Sequence, residues 1–178
     1  MTPAQLTTLG AYIAAQPDLN TYQLGLDQAY AIASLLNQPS TFVVWATTTS
    51  AANMSDAIVW ADLTPTDAPD GTQVWLDRAM ACQGKQFNLQ ILLASRDQIS
   101  TGKANVRAGF QDALTNVPSG VGGALVSAGW VTMKTVMQRN ASRVESVFAT
   151  GTGTTASPGA LVWEGQIDPQ TVQAARGG

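Results

Sequence analysis

Ala149-Thr150-Gly151-Thr152-Gly153-Thr154-Thr155-Ala156-Ser157-Pro158-Gly159-Ala160-Leu161-Val162-Trp163-Glu164 is the stretch where the helical pattern of this chain stops. Gly and Thr alternate through residues 151–155, which is loop composition. Residues 160–164 then join β-branched and aromatic side chains in the best strand signal of the sequence. A single strand leaves a row of unpaired N–H and C=O groups. Its partner must be residues 41–46, a hairpin strand across the 149–159 loop, or another subunit.

Upstream, the spacing predicts helices. Thr2-Pro3 is an N-cap and first-turn pair, followed by Leu6, Leu9 and Ile13, and Gln16-Pro17 ends that helix. Thr21 opens a second, with Tyr22, Leu26, Ala29, Ala33 and Leu36 at steps of three and four. Residues 41–46 fit a short strand or an extended connector equally well. Ser50 caps a helix through Met54, and the Pro and Gly of Asp62–Gly71 make a loop. A long helical region runs from Thr72 to Arg96, with Val74, Trp75, Ala79 and Cys82 on one face and a bend at Gly84. Lys103–Leu114 is a further helix. Ser119 caps a small-residue helix containing Gly122, Gly123, Ala128 and Gly129, where close helix approach would offset the cost of glycine. Arg139 and Arg143 follow one turn apart, Ser142 opens a short helix to Phe148, and Asp168-Pro169 starts a last turn ending at Gly177-Gly178. The expected fold is therefore mainly α: a helical bundle over residues 1–148, and a C-terminal arm over 149–178 holding a short β-strand or hairpin.

Composition removes several function classes. The 178 residues include no His, so neither a Ser-His triad nor a His-liganded metal site can be built. The single cysteine, Cys82, allows no internal disulfide and reads as a small buried hydrophobe. No apolar run approaches the roughly 20 residues of a membrane span, and Met1-Thr2-Pro3 does not open a signal peptide. The expectation is a soluble protein made in a reducing cytoplasm, with no membrane partner. Charged residues are only 12% of the chain, where about 25% is usual. Polarity comes from 20 Thr and 15 Gln instead, and charge depletion of this kind marks the buried centres of subunit interfaces.

The charges are also unevenly placed. Residues 1–77 hold seven Asp and no Lys or Arg, whereas residues 78–178 hold all nine basic groups against five acids, −7 and +4. Such a subunit could stack head to tail or close into a ring; equally, the two segments could interleave in space and cancel.

No motif carries catalytic chemistry. Ser100-Thr101-Gly102-Lys103 matches S-x-x-K, but Ser55-Asp56-Ala57 and Lys134-Thr135-Val136 do not supply its companion motifs, and a helix start capped by Ser with Lys exposed accounts for it. Gly151-x-Gly153-x-x-Ala156 lies after a helix and before a strand, the reverse of a dinucleotide fingerprint. Gly84-Lys85 and Gly102-Lys103 lack the upstream glycine of a phosphate loop. Arg176-Gly177-Gly178 is a frayed terminus rather than a modifier tail. The Asp-rich segment 62–77 is the one candidate metal site, and its Pro and Gly favour a plain turn. Arg96, Lys103, Arg107, Lys134, Arg139 and Arg143 could form a basic strip, yet the sequence pI of about 4.6 is far from that of a nucleic-acid-binding domain. The expectation is no catalytic residue, no cofactor and no metal: not an enzyme.

Lys103-Ala104-Asn105-Val106-Arg107-Ala108-Gly109, then Arg143 with Glu145–Gly153, Pro158–Gly165 and Val172–Arg176, resemble the head–tail connector (adaptor, or neck) proteins of tailed bacteriophages. The resemblance covers residues 100–178, extends weakly to Phe42–Met54, and departs at residues 60–100. It implies a structural virion protein of the phage neck, assembled in the host cytoplasm as a homo-oligomeric, dodecameric ring. The ring would join the portal protein to a tail or stopper protein, and DNA would pass through without specific binding; an acidic lining repels phosphates and lets a duplex slide. The arm would dock on the portal or a neighbouring subunit through Leu161, Val162 and Trp163, with Trp163 as hot spot, aided by Phe148, Arg139 and Arg143. Removing residues 150–178 is then expected to leave a soluble helical domain that no longer joins heads. The alternatives are another small neck, head-completion or tail-terminator protein, or a phage regulatory protein absent from the virion.

Overall fold

The computed structural model describes residues 1–23 and 25–177; Gly178 of the Arg176-Gly177-Gly178 tail lies outside them. The fold is mixed α/β, 54% helical, with short strands spread through the chain rather than confined to a C-terminal arm. This corrects the expectation of a mainly α bundle. The chain forms two compact units: unit 1 joins residues 1–44 to residues 139–178, and unit 2 is the continuous stretch 45–138. The compact units are thus divided at 44/45 and 138/139, not at 148/149.

Unit 1 begins with α1 (Pro3–Ala15), which starts where expected because Thr2 and Gln5 form a reciprocal capping box. The next helix starts later than the spacing suggested. Pro17–Asn20 makes its own short turn, α2, and α3 (Leu26–Leu36) is capped by Gly25, not Thr21. Residues 39–45 form the strand β1, which pairs with β4 (Gln138–Ser142). Within unit 1, Ser40 Oγ donates to the Ala141 carbonyl at 2.8 Å and the Arg143 amide to the Gln38 carbonyl at 2.9 Å. Arg139 is therefore on a strand, not one helical turn from Arg143.

α8 (Arg143–Phe148) and α9 (Pro169–Ala175, capped by Asp168) begin at their expected caps. Between them, β5 (Ala149–Thr150) pairs antiparallel with β6 (Ala160–Leu161). The partner of the C-terminal strand is thus the hairpin strand across the Gly/Thr loop, with one further parallel bridge from Gly159 to Val44. The loop is anchored on Phe42: a Cβ at Gly153 or Gly159 would stand 2.3 or 2.5 Å from its ring. Gly153 also needs its φ of +66°, which side-chain-bearing residues avoid.

Leu9, Ile13, Leu19, Ile32, Leu36, Val144, Ile167 and Val172 fill the unit 1 core. Gly10 lets α1 and α9 touch, since a Cβ there would lie 2.1 Å from the Ala175 carbonyl oxygen. Residues 149–177 supply Ile167 and Val172 to that core, so they are part of the unit's packing and not a detachable arm.

Unit 2 contains β2 (Thr49–Ser50) paired antiparallel with β3 (Gln98–Ile99), α4 (Ala51–Asp56), α5 (Gln73–Leu93), α6 (Ala104–Leu114) and α7 (Ala128–Val136). Ser50 caps α4 as expected, and Thr72, where the long helical region was expected to start, caps α5. α5 runs continuously through Gly84, where a bend was expected. The small-residue helix at Ser119 does not form. Residues 121–123 make a 3-10 turn in which Gly122 and Gly123 have φ of +64° and +87°. Only Gly129 meets the close-approach expectation, with Leu114 Cδ2 3.2 Å from where its Cβ would be. Met54, Leu63, Leu89, Ile99, Phe110, Met133 and Met137 are fully buried in this core, and Cys82 packs among them as the small hydrophobe expected.

The charge asymmetry of the sequence does not survive folding. Unit 1 holds Asp18, Asp27, Glu145, Glu164 and Asp168 against Arg139, Arg143 and Arg176, a net −2; unit 2, with seven acids and six bases, is −1. The interleaved alternative is the one realised. Among the described residues, no helix is long and apolar enough to cross a membrane.

Candidate functional site

The densest polar cluster of unit 1 is built around Glu145. Ser142 leaves β4 and caps α8 by accepting the Glu145 amide at 3.2 Å, while the Glu145 carboxylate accepts the Ser142 amide at 2.8 Å. The same carboxylate takes a two-pronged bond from Arg139 (Nη1 to Oε2 2.7 Å, Nη2 to Oε1 2.8 Å) and the Gly165 amide at 3.2 Å. Arg139 Nη2 also reaches Glu164 Oε1 at 2.8 Å. One buried carboxylate therefore ties together the end of β4, the first turn of α8 and the segment after the hairpin.

Burial pushes the Glu145 carboxyl up, but the Arg139 guanidinium and the Ser142 and Gly165 amides together outweigh it and hold it at about 2. The Glu145 hydrogen bonds also hold the Arg139 guanidinium firmly protonated. A hollow of 370 Å³ opens beside the pair, lined by Asn37, Pro39 and Gln166 among others. A carboxylate held this low is a poor proton donor or acceptor near neutral pH. Its geometry is that of a clasp.

Of the six residues assigned to an interface, four engage their side chains inside unit 1. Phe148 and Trp163 meet edge to face, with centroids 5.9 Å apart, on the flank of the core. Arg139 holds Glu145 and Glu164, and Arg143 holds Asp18. Leu161 is half-buried in the hairpin, and Val162 projects beside it, 69% exposed.

Of the candidate basic strip, Arg107, Arg139 and Arg143 are engaged on internal partners. Arg107 lies 4.4 Å from the ring centroid of Trp45 and donates to the Thr101 and Gly102 carbonyls at 2.8 Å. Lys85 bonds the Asp112 and Thr115 carbonyls at the end of α6. In Ser100-Thr101-Gly102-Lys103, Thr101 is buried, donating to the Ala46 carbonyl at 2.7 Å and meeting Thr49 Oγ1 at 3.1 Å. α6 there starts at Ala104 with no side-chain cap, so Ser100 is not the cap expected. The Asp-rich segment is likewise used locally: Asp67 pairs with Arg78 at 2.8 Å, and Asp70 accepts from Thr72. Among the described residues, no group of His, Cys, Asp and Glu is placed to hold a metal ion.

What sequence reading missed is on α5. It placed Val74 on one face with Trp75, Ala79 and Cys82; Cys82 is buried there, as is Leu89, but Val74 is exposed. Leu76, Met80, Phe87 and Ile91 form a second apolar stripe on the opposite side, all exposed. The signal was present as two apolar periodicities within one helix. Val121, Leu125 and Val131 add further exposed apolar side chains in unit 2.

Comparison of the chain with protein-family models, with curated proteins and with solved structures gave no match in any of the three. The functional reading accordingly rests on the residues themselves.

Proposed function

We propose that this protein is a structural subunit that acts by contact with other protein chains, and that its place is the neck of a tailed-phage particle, as a ring-forming adaptor between portal and tail. The observation that carries the reading is the exposure of Leu76, Met80, Phe87, Ile91, Val121, Leu125 and Val131 on a unit whose helices are poor in charge. Exposed large apolar side chains gathered on a surface mark contact sites, and charge depletion is the compositional trait of interface centres.

The resemblance of residues 100–178 to connector proteins supplies the neck assignment. In that reading the β5–β6 hairpin, with Val162 exposed at its end, is the element offered to the portal or a neighbouring subunit. Phe148, Trp163, Arg139 and Arg143 stiffen the hairpin's base from within. DNA would pass without specific contact, consistent with Arg107, Arg139 and Arg143 being engaged on internal partners.

Mass spectrometry of purified phage particles, joined to electron microscopy of the protein mixed with portal-bearing heads, tests the reading. The expected result is the protein in mature particles and a collar on the heads, lost in Val162→Asp. Its absence from particles, with no collar formed, would overturn the neck assignment.

A further inference from the structure

We infer that the exposed stripe of α5 is a two-fold contact between two copies of this chain, with the helices antiparallel and the axis passing between Gln83 and Gly84. Leu76, Met80, Phe87 and Ile91 are 44%, 68%, 61% and 53% exposed. At 3.6 residues per turn they fall within one narrow arc of the helix, together with Gln83 and Gly84. The buried side of α5, with Cys82 and Leu89, is elsewhere on its circumference. α5 thus has one apolar face used by unit 2 and a second one that unit 2 leaves open.

Three observations favour a second copy as the occupant. The stripe is symmetric about its middle: an antiparallel partner places Leu76 opposite the other copy's Ile91 and Met80 opposite its Phe87. A two-fold interface requires such self-complementarity, with residue i meeting j and j meeting i. Second, the stripe contains no charge of either sign, and only Asp77 stands at its edge, so no like charges are brought together when it meets itself. Third, Gly84 lies at the midpoint, where an interior helical glycine is unfavourable. Nothing in the chain lies within 4 Å of where its Cβ would be. Contacts within the chain do not account for it, whereas close approach of two backbones does.

The four side chains supply most of the area a modest dimer needs, the polar rim the remainder. With side chains of roughly 200 Å² each, the four residues leave on the order of 400 Å² per copy, so about 800 Å² in total before the polar rim is counted, against about 1,000 Å² for a specific contact. The contact is separate from any ring, whose closure uses unlike surfaces, and it stands whether or not the chain belongs to a virion.

Sedimentation equilibrium of the full chain, from low micromolar concentration to the solubility limit, tests it together with self-crosslinking. The parent chain should reach twice the chain mass, and Met80→Asp should weaken that association by about tenfold or more. Gly84→Cys should oxidise to a covalent dimer, because a residue on the axis meets its own copy; Leu76→Cys should crosslink only when mixed with Ile91→Cys. Circular dichroism of Met80→Asp checks that the fold is intact, as its exposure predicts. A chain that remains monomeric, assembles equally well as Met80→Asp, or crosslinks Leu76→Cys to itself but not Gly84→Cys overturns the inference. Higher rings that dissociate with Met80→Asp and do not crosslink through Gly84→Cys overturn it as well, since the stripe would then meet an unlike surface. Detection in phage particles bears only on the neck assignment.

Discussion

Arg143 and Asp18, 125 positions apart in the sequence, face each other with guanidinium Nη1 donating to Oδ2 and Nη2 to Oδ1. The pair links α2 to the first residue of α8. It joins a member of the acid-only half of the sequence to a member of the half that carries every base. Hydrogen bonding to Arg143 holds the Asp18 carboxyl below its ordinary range. Asp18 is more than half exposed, and an exposed pair is screened by salt. A double-mutant cycle with Asp18→Asn and Arg143→Gln should give a small coupling that fades as salt is raised. A coupling that survives high salt would contradict this account.

The buried counterpart should behave differently. Glu145, at about 2 in the folded chain, ionises far below its unfolded value of about 4.3. Its contribution is therefore fully present above the unfolded value and is lost as pH falls from about 5 towards 2. Glu145→Gln should cost about 2 kcal/mol at neutral pH, with allowance for screening at the part-exposed Arg139. It should also flatten the acid limb of stability against pH. Urea denaturation of both chains between pH 3 and pH 7 reads the difference. Parallel curves would show that Arg139 and the two amides do not hold this carboxylate.

Gly10→Ala tests the seam between α1 and α9. The added methyl would overlap the Ala175 carbonyl oxygen, and overpacking of this kind costs typically 1–3 kcal/mol. α9 should loosen first, which amide hydrogen exchange over residues 169–175 would register as lost protection.

Deleting residues 150–178 should unfold unit 1 rather than trim an arm. Ile167 and Val172 are 6% and 0% exposed in its core, and their loss uncovers Leu9, Ile13 and Leu36. The truncated chain is expected to lose helix signal and bind hydrophobic dyes. A compact, fully helical product would show that the rest of unit 1 closes without α9.

Leu89→Ala and Leu76→Ala, on opposite sides of α5, should differ sharply. Leu89 is fully buried, so its truncation should cost about 2–5 kcal/mol. Leu76 is exposed within the monomer, and its truncation should stay within roughly 0.5 kcal/mol. Chemical denaturation at low protein concentration makes the comparison.

Elements fixed by local chemistry were legible from the sequence. Thr2, Ser50, Ser142 and Asp168 start the helices assigned to them, because an N-cap is settled within four residues of chain; the starts expected at Thr21, Ser100 and Ser119 did not form. The hairpin partner of residues 160–161 stood among three open alternatives; Gly153 and Gly159 against Phe42 explain the choice, but that contact spans more than 100 positions. What failed was decided by tertiary contact. Arg139 read as helical and became a strand residue paired to β1. Gly122 and Gly123 read as helix-packing residues and instead supply left-handed turns. The Glu145 clasp was half visible, as the capping box Ser142-x-x-Glu145, while Arg139 and Gly165 arrive from other segments. The outer stripe of α5 was hidden by the assumption that one helix has one apolar face.

Unit 2 is an unbroken insert in the sequence of unit 1, and this dictates an order of events on the ribosome. Residues 45–138 emerge complete and can condense while the remainder is still being translated. Helices α1 and α3, made earlier, must wait for α8 and α9 before their apolar sides are covered. Helices made before unit 2 are thus among the last of these elements to mature, and during that interval their uncovered apolar sides are a liability to aggregation.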